Sequence, residues 1–265
     1  MLLRFWPLTE GAAVRSDAVT SDEVLQSARL WNFDTYLAAT LAPRDVQRDV
    51  LVLAAFVGEL EHIRLSVSEP GLAQIRIQWW RDELQRMVEV GRSDHPIGTA
   101  LLSAIHAHDL PLVQLLGVVD AVFDLVSGAR FSDDQLLNAW FGKRFAAPIG
   151  LIARCSARHD GGDGDLVSDV GRLCGLCWIL SQFRRGADPV SEFGLETTEE
   201  VIVSDIRETM GGAARRLKVL PRPARVAFLP GSLAPLYLRH PSGQPGALSK
   251  VCRMASAHWL GRYQV

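Results

Sequence analysis

Apolar residues recur in this chain at spacings of three and four, and nowhere does sustained period-two alternation come with β-branched enrichment. A 3.6-residue period puts such residues on one helix face, so the chain must bury one helical stripe against another. The pattern predicts an all-α, single-domain helical bundle of about ten helices. Proline and glycine punctuate it. No fixed-period repeat indicates a solenoid.

Thr20-Ser21-Asp22-Glu23 reads as a capping box, with the Thr20 hydroxyl and the Glu23 carboxylate satisfying amides at a helix start. The helix that follows is predicted to reach about Leu41, with Val24, Leu25, Ala28, Trp31 and Leu37 along its inward stripe. Pro43 suits the first turn of a second helix, which carries Val46, Val50, Leu53, Val57 and Leu60 inward as far as Val67. A third, from Glu69 to Val90, is predicted to hold Ile75, Trp79 and Met87 inside and to stop at Gly91. Further helices are predicted at 96–108, 111–127, 133–157, 165–185, 198–219, 224–238 and 248–263. Residues 1–19 have weak periodicity and are expected to form a loosely held arm before a domain over 20–265.

Composition narrows the function classes. With 28 basic and 30 acidic side chains the net charge is −2, so no global field steers the chain onto nucleic acid. Hydrophobic residues at 48% are enough for a core without metals or disulfides, and Cys155, Cys174, Cys177 and Cys252 are too few and too uneven for a disulfide framework. A reducing cytoplasm is the expected compartment. The apolar runs Leu51 to Val57 and Leu173 to Leu180 fall far short of the roughly 20 residues that span a bilayer. No transmembrane segment is expected, and membrane contact, if any, is peripheral at an inner membrane.

Several segments resemble the squalene/phytoene synthase family. They are Tyr36-Leu37-Ala38-Ala39-Thr40-Leu41-Ala42-Pro43, Leu53-Ala54-Ala55-Phe56, Ile75-Arg76-Ile77-Gln78-Trp79-Trp80-Arg81-Asp82-Glu83-Leu84, Asp120 to Leu125, and Ala227-Phe228-Leu229-Pro230 with Leu236-Tyr237-Leu238. The resemblance implies an isoprenoid synthase-like fold. It also implies a prenyl transferase activity, condensing two prenyl diphosphates head to head, with two Asp-x-x-x-Asp motifs on facing helices. Carboxylates at i and i+4 share a helix face, and two such faces grip the Mg²⁺ ions that bind the leaving diphosphate.

Neither motif is intact. Glu61 stands where the first aspartate is expected and Leu65 where the second is, and a leucine cannot coordinate Mg²⁺. The second motif is expected near Leu176 to Arg185, where no carboxylate lies. A branch of the family that includes the mitochondrial assembly factor of respiratory complex I shows similar losses. Val67-Ser68-Glu69 followed by Ile75-Arg76-Ile77-Gln78-Trp79-Trp80 resembles that branch.

The reading that follows is a non-catalytic binding or assembly factor with no cofactor, whose partners are an apolar or isoprenoid ligand and respiratory complex subunits. A divergent prenyl transferase, which needs Mg²⁺, and an isoprenoid or lipid carrier are the alternatives. Candidate ligand or remnant diphosphate-binding residues are Glu59, Glu61, Arg64, Trp80 and Arg81; no catalytic or metal residue is assigned. Each has a plainer reading, since paired helical charges and tryptophans serve solvation and core more often than ligands. Cys174-x-x-Cys177 lacks the second pair a zinc site requires and reads as two small buried residues. Asp120 and Asp124 read as helix surface or a salt bridge, and His106 and His108 as surface. Arg184-Arg185 and Arg215-Arg216-Lys218 could attract a phosphate or an anionic membrane surface, against the plainer reading of helix-end solvation.

Overall fold

A computed structural model describes residues 22–156, 164–188, 192–242 and 244–263, and these form helices and turns with no strand among them. The arm over 1–19 and the Thr20-Ser21 end of the capping box lie outside the described residues. The central element is α3 (Arg44–Ser66), in which every residue from Val50 to Gly58 is buried. A helix apolar all round must be enclosed by others. Here α1 (Asp22–Trp31), α2 (Phe33–Thr40), α4 (Pro70–Val90), α5 (Pro96–His108), α6 (Leu112–Val126) and α8 (Ala147–Ser156) all pack on it. Gly58 allows the close approach of α1, because a Cβ there would sit 2.7 Å from the Ser27 carbonyl oxygen.

The rest of the chain follows as α7 (Asp134–Phe141), a π turn (Gly142–Ala146) leading into α8, α9 (Gly164–Phe183), α10 (Glu199–Val219), α11 (Arg222–Arg225), a 3₁₀ segment (Val226–Leu233), α12 (Ala234–Arg239) and α13 (Ala247–Leu260). Arg184, at the end of α9, donates to the carbonyls of Tyr237, Leu238 and His240, satisfying acceptors that α12 leaves open. That ties α12 to α9. A second, smaller aromatic cluster forms where α7 meets α9, with Trp140 donating to the Ala121 carbonyl at 2.8 Å.

Four expectations need correction. The first predicted helix breaks at Asn32, whose backbone leaves the helical region (φ −142°, ψ 55°) while its side-chain amide donates to the Ala54 carbonyl at 3.2 Å. The 133–157 helix is interrupted by the π turn. Pro148 has no N–H to return to the preceding turn and its ring crowds that turn's carbonyl, and widening the helix relieves both. The 224–238 helix is split by Pro230 into shorter pieces for the same reason. On α4, Ile75 (67% exposed) and Trp79 (45%) face outward, whereas Ala73, Ile77, Trp80, Leu84 and Met87 are buried. That helix carries apolar residues on both faces: Met87 is buried as expected, whereas Ile75 and Trp79 lie off the buried stripe. Trp80 packs edge-on to Phe56, with ring centroids 5.5 Å apart.

Candidate functional site

A cavity of about 340 Å³ opens between α2, α3, α8, α9 and the 3₁₀ segment. The break at Asn32 brings Phe33 and Asp34 to its wall, and the π turn brings Arg144 and Phe145 there. The turn can lie close against α9 because α9 presents glycines to it: a Cβ on Gly171 would sit 2.5 Å from Ala146, and one on Gly175 would enter the Phe141 ring. Val57, Ile149, Ile152, Leu173 and Ala227 supply an apolar surface. From α9 come Cys174, Cys177, Trp178 and Ser181, at the spacing of one helix face.

Two polar clusters sit in this wall. In the first, Glu61 accepts from Arg64 through both oxygens (2.6 and 3.1 Å) and from Arg144 at 3.0 Å. Burial pushes the Glu61 carboxyl up, but the Arg144 charge and the Arg64 hydrogen bond outweigh it and hold the group at about 2. Burial in turn lowers Arg144, and Glu61 opposes that shift. In the second, Lys250 of α13 donates to one Asp34 oxygen at 2.6 Å, the Tyr237 hydroxyl donates to the other at 2.6 Å, and Lys250 lies 3.0 Å from the same hydroxyl. Burial and then the Asp34 charge raise the Tyr237 phenol well above its usual range. The same two causes push the Cys174 thiol up to about 12. Burial, with Cys174 and Asp34, likewise raises Cys177, so neither sulfur is a ready thiolate.

All four carboxylate oxygens in the wall are therefore committed to bases or a hydroxyl. Mg²⁺ takes several oxygen ligands in near-octahedral array. These residues do not fit that ion without first giving up their partners. Among the described residues no three His, Cys, Asp or Glu side chains lie close enough to hold a metal.

Of the residues singled out from sequence, the structure brings Glu61 to the cavity and Arg64 against it. Glu59 is on another side of α3, 3.8 Å from His62. Trp80 lies in the core, and Arg81 pairs with Asp120 on α6; neither lines the cavity. Leu65 is exposed and also lies outside the lining. Cys177 is buried as expected and Cys174 is half-buried, and both also face the cavity. His108 pairs with Asp49 at 2.6 Å. The sequence reading missed Asp34, Arg144 and Lys250 entirely and used Tyr237 only as part of a resemblance. No local spacing connects them, since Asp34 and Lys250 meet only through the tertiary fold.

Comparison with known proteins follows the same lines. A family model described as squalene/phytoene synthase matches residues 32–188, more than half of the chain. Over 96 residues the chain is 31% identical to NADH dehydrogenase (ubiquinone) complex I, assembly factor 6 of Rattus norvegicus, a match covering 36% of this chain and 29% of that protein. The Homo sapiens protein of the same name is 28% identical over 101 residues, covering 38% and 30%. The matched segment thus spans less than a third of these relatives. The crystal structure of squalene synthase HpnC from Alicyclobacillus acidocaldarius superposes with a TM-score of 0.59 over 90% of this chain and 95% of that one, at 13% identity, which is a likeness of fold. Fold, cavity and family match converge: the chain belongs to the squalene/phytoene synthase family.

Proposed function

We propose that this chain is a non-catalytic member of its family, a binding or assembly factor whose cavity takes an apolar, isoprenoid-like ligand. The observation that carries the reading is the commitment of both cavity carboxylates, Asp34 to Lys250 and Tyr237, and Glu61 to Arg64 and Arg144. The three cations Arg64, Arg144 and Lys250 are engaged by the two carboxylates, so the wall offers no free oxygen to the metal of a diphosphate. An uncharged chain with a small polar end suits such a surface, since apolar walls with a few fixed polar groups are what small-molecule sites commonly present. The similarity to the complex I assembly factors supports respiratory complex subunits as the protein partners.

The competing reading, a divergent prenyl transferase, draws support from Arg144, a cation in the cavity wall. Incubation with farnesyl or geranylgeranyl diphosphate and Mg²⁺ separates the two. The proposal expects no pyrophosphate release and no condensed hydrocarbon. Turnover that Glu61→Ala abolishes overturns it. In the organism, deleting the gene is expected to lower assembled NADH:ubiquinone oxidoreductase while isoprenoid products stay unchanged.

A further inference from the structure

The chain's charge is unevenly distributed. All 30 acidic residues lie at or before Glu208, whereas the remainder carries Lys218, Lys250 and seven arginines, with no acid among them. Some of these cations are structural: Lys250 holds Asp34, and Arg253 is buried with bonds to the Ser232 and Tyr263 carbonyls. Others surround an apolar patch where Arg225 bridges the C-terminal ends of α10 and α13. Arg225 fixes that junction by donating to the carbonyls of Lys218, Leu220 and His258. At the junction Val219 is 82% exposed, Leu260 63% and Trp259 54%, and the Arg222 guanidinium lies 5.2 Å from the Trp259 ring centre. Lys218, Arg222 and Arg262 are exposed around them. The outer side of α13 continues the patch, with Leu248, Val251 and Cys252 exposed at helical spacing behind Trp259.

We propose that this junction of α10 and α13 is a docking surface for an anionic phospholipid bilayer. Val219 and Leu260 leave most of their surface in solvent, so they project from helix ends instead of lining a groove made for another chain. Aliphatic tips and a tryptophan enter the headgroup boundary, while lysine and arginine neutralise lipid phosphates. No helix of the described residues is long and apolar enough to cross a membrane, so contact at this surface is interfacial. The inference is independent of whether the cavity is catalytic.

Sedimentation of the full chain with vesicles tests it. The chain is expected to bind vesicles of equimolar phosphatidylcholine and phosphatidylglycerol, to ignore phosphatidylcholine alone, and to be released by salt. Neutralising Lys218, Arg222 and Arg262 together with glutamine is expected to lower partitioning on the order of 100-fold. Trp259→Ser weakens binding while keeping its salt dependence, and Arg92→Glu, an exposed change in the α4–α5 turn, leaves it unchanged. Circular dichroism establishes that each variant is folded. No binding to anionic vesicles, or binding indifferent to the triple variant, overturns the proposal. So does binding to polyglutamate without vesicle binding, which assigns the surface to an acidic protein. A dimer that Trp259→Ser dissolves assigns it to a second copy and overturns it equally.

Discussion

Replacing Glu61 with glutamine preserves the side chain's shape and removes its charge, leaving Arg144 enclosed beside Arg64 with no anion between them. The carboxyl is held at about 2 in the folded chain against an ordinary 4.5. At about 1.4 kcal/mol per pKa unit that corresponds to roughly 3 kcal/mol, a size matching the cost of breaking a buried pair from one side. Because the folded-state value is depressed, the contribution is fully present above about pH 4.5 and fades as pH falls toward 2. Urea unfolding of the native chain and of Glu61→Gln is the assay. The variant is expected to lose roughly 3 kcal/mol near neutral pH, and the gap to shrink by about 2 kcal/mol at a pH of about 3. Adding Arg144→Met to Glu61→Leu is expected to recover much of the loss, since an apolar pair of similar volume carries no desolvation cost. A neutral-pH loss under about 1 kcal/mol, or one that does not shrink on acidification, refutes the reasoning.

Adjacent tryptophans are expected to differ sharply: Trp80→Ala, buried against Phe56, costs about 3 to 5 kcal/mol, and Trp79→Ala, half exposed on the other face of α4, costs under about 1 kcal/mol, both read by chemical denaturation. Tyr237→Phe removes the hydroxyl bonded to Asp34 and is expected to cost about 1 to 2 kcal/mol in the same assay. Thiol labelling near neutral pH, followed by mass spectrometry, is expected to modify exposed Cys252 first. Buried Cys155, held up at about 12, and Cys177 should react only on unfolding.

The bundle was legible because its signals are local. Pro43, Pro70 and Pro96 sit at helix starts, and Gly91 takes the left-handed conformation (φ 74°) that ends α4. Val46, Val50, Leu53, Val57 and Leu60 are all buried as their spacing indicated. Where two physical signals competed, the pattern misled: α4 carries apolar residues on both faces, and Pro148 widens a helix without ending it. Glu61 was visible through the resemblance, which sets it where the family's first aspartate is expected, and Arg64 as a base within reach on the same helix. The other half of the site was not. Arg144 reaches the cavity through a π turn that period counting cannot foresee, and Asp34, Tyr237 and Lys250 are assembled by helices far apart in sequence. The acid-free stretch beyond Glu208 stood in the sequence throughout, but whole-chain charge averages it away.

The most direct test of the central claim, that the cavity's carboxylates are already committed and grip no divalent cation, is a Mn²⁺ titration of the full chain followed by electron paramagnetic resonance. It is run with and without a non-hydrolysable farnesyl diphosphate analogue. The account predicts a free-ion signal identical to that of buffer containing the same analogue, in the native chain and in Glu61→Gln and Asp34→Asn alike. Saturable Mn²⁺ binding that either substitution abolishes would contradict it.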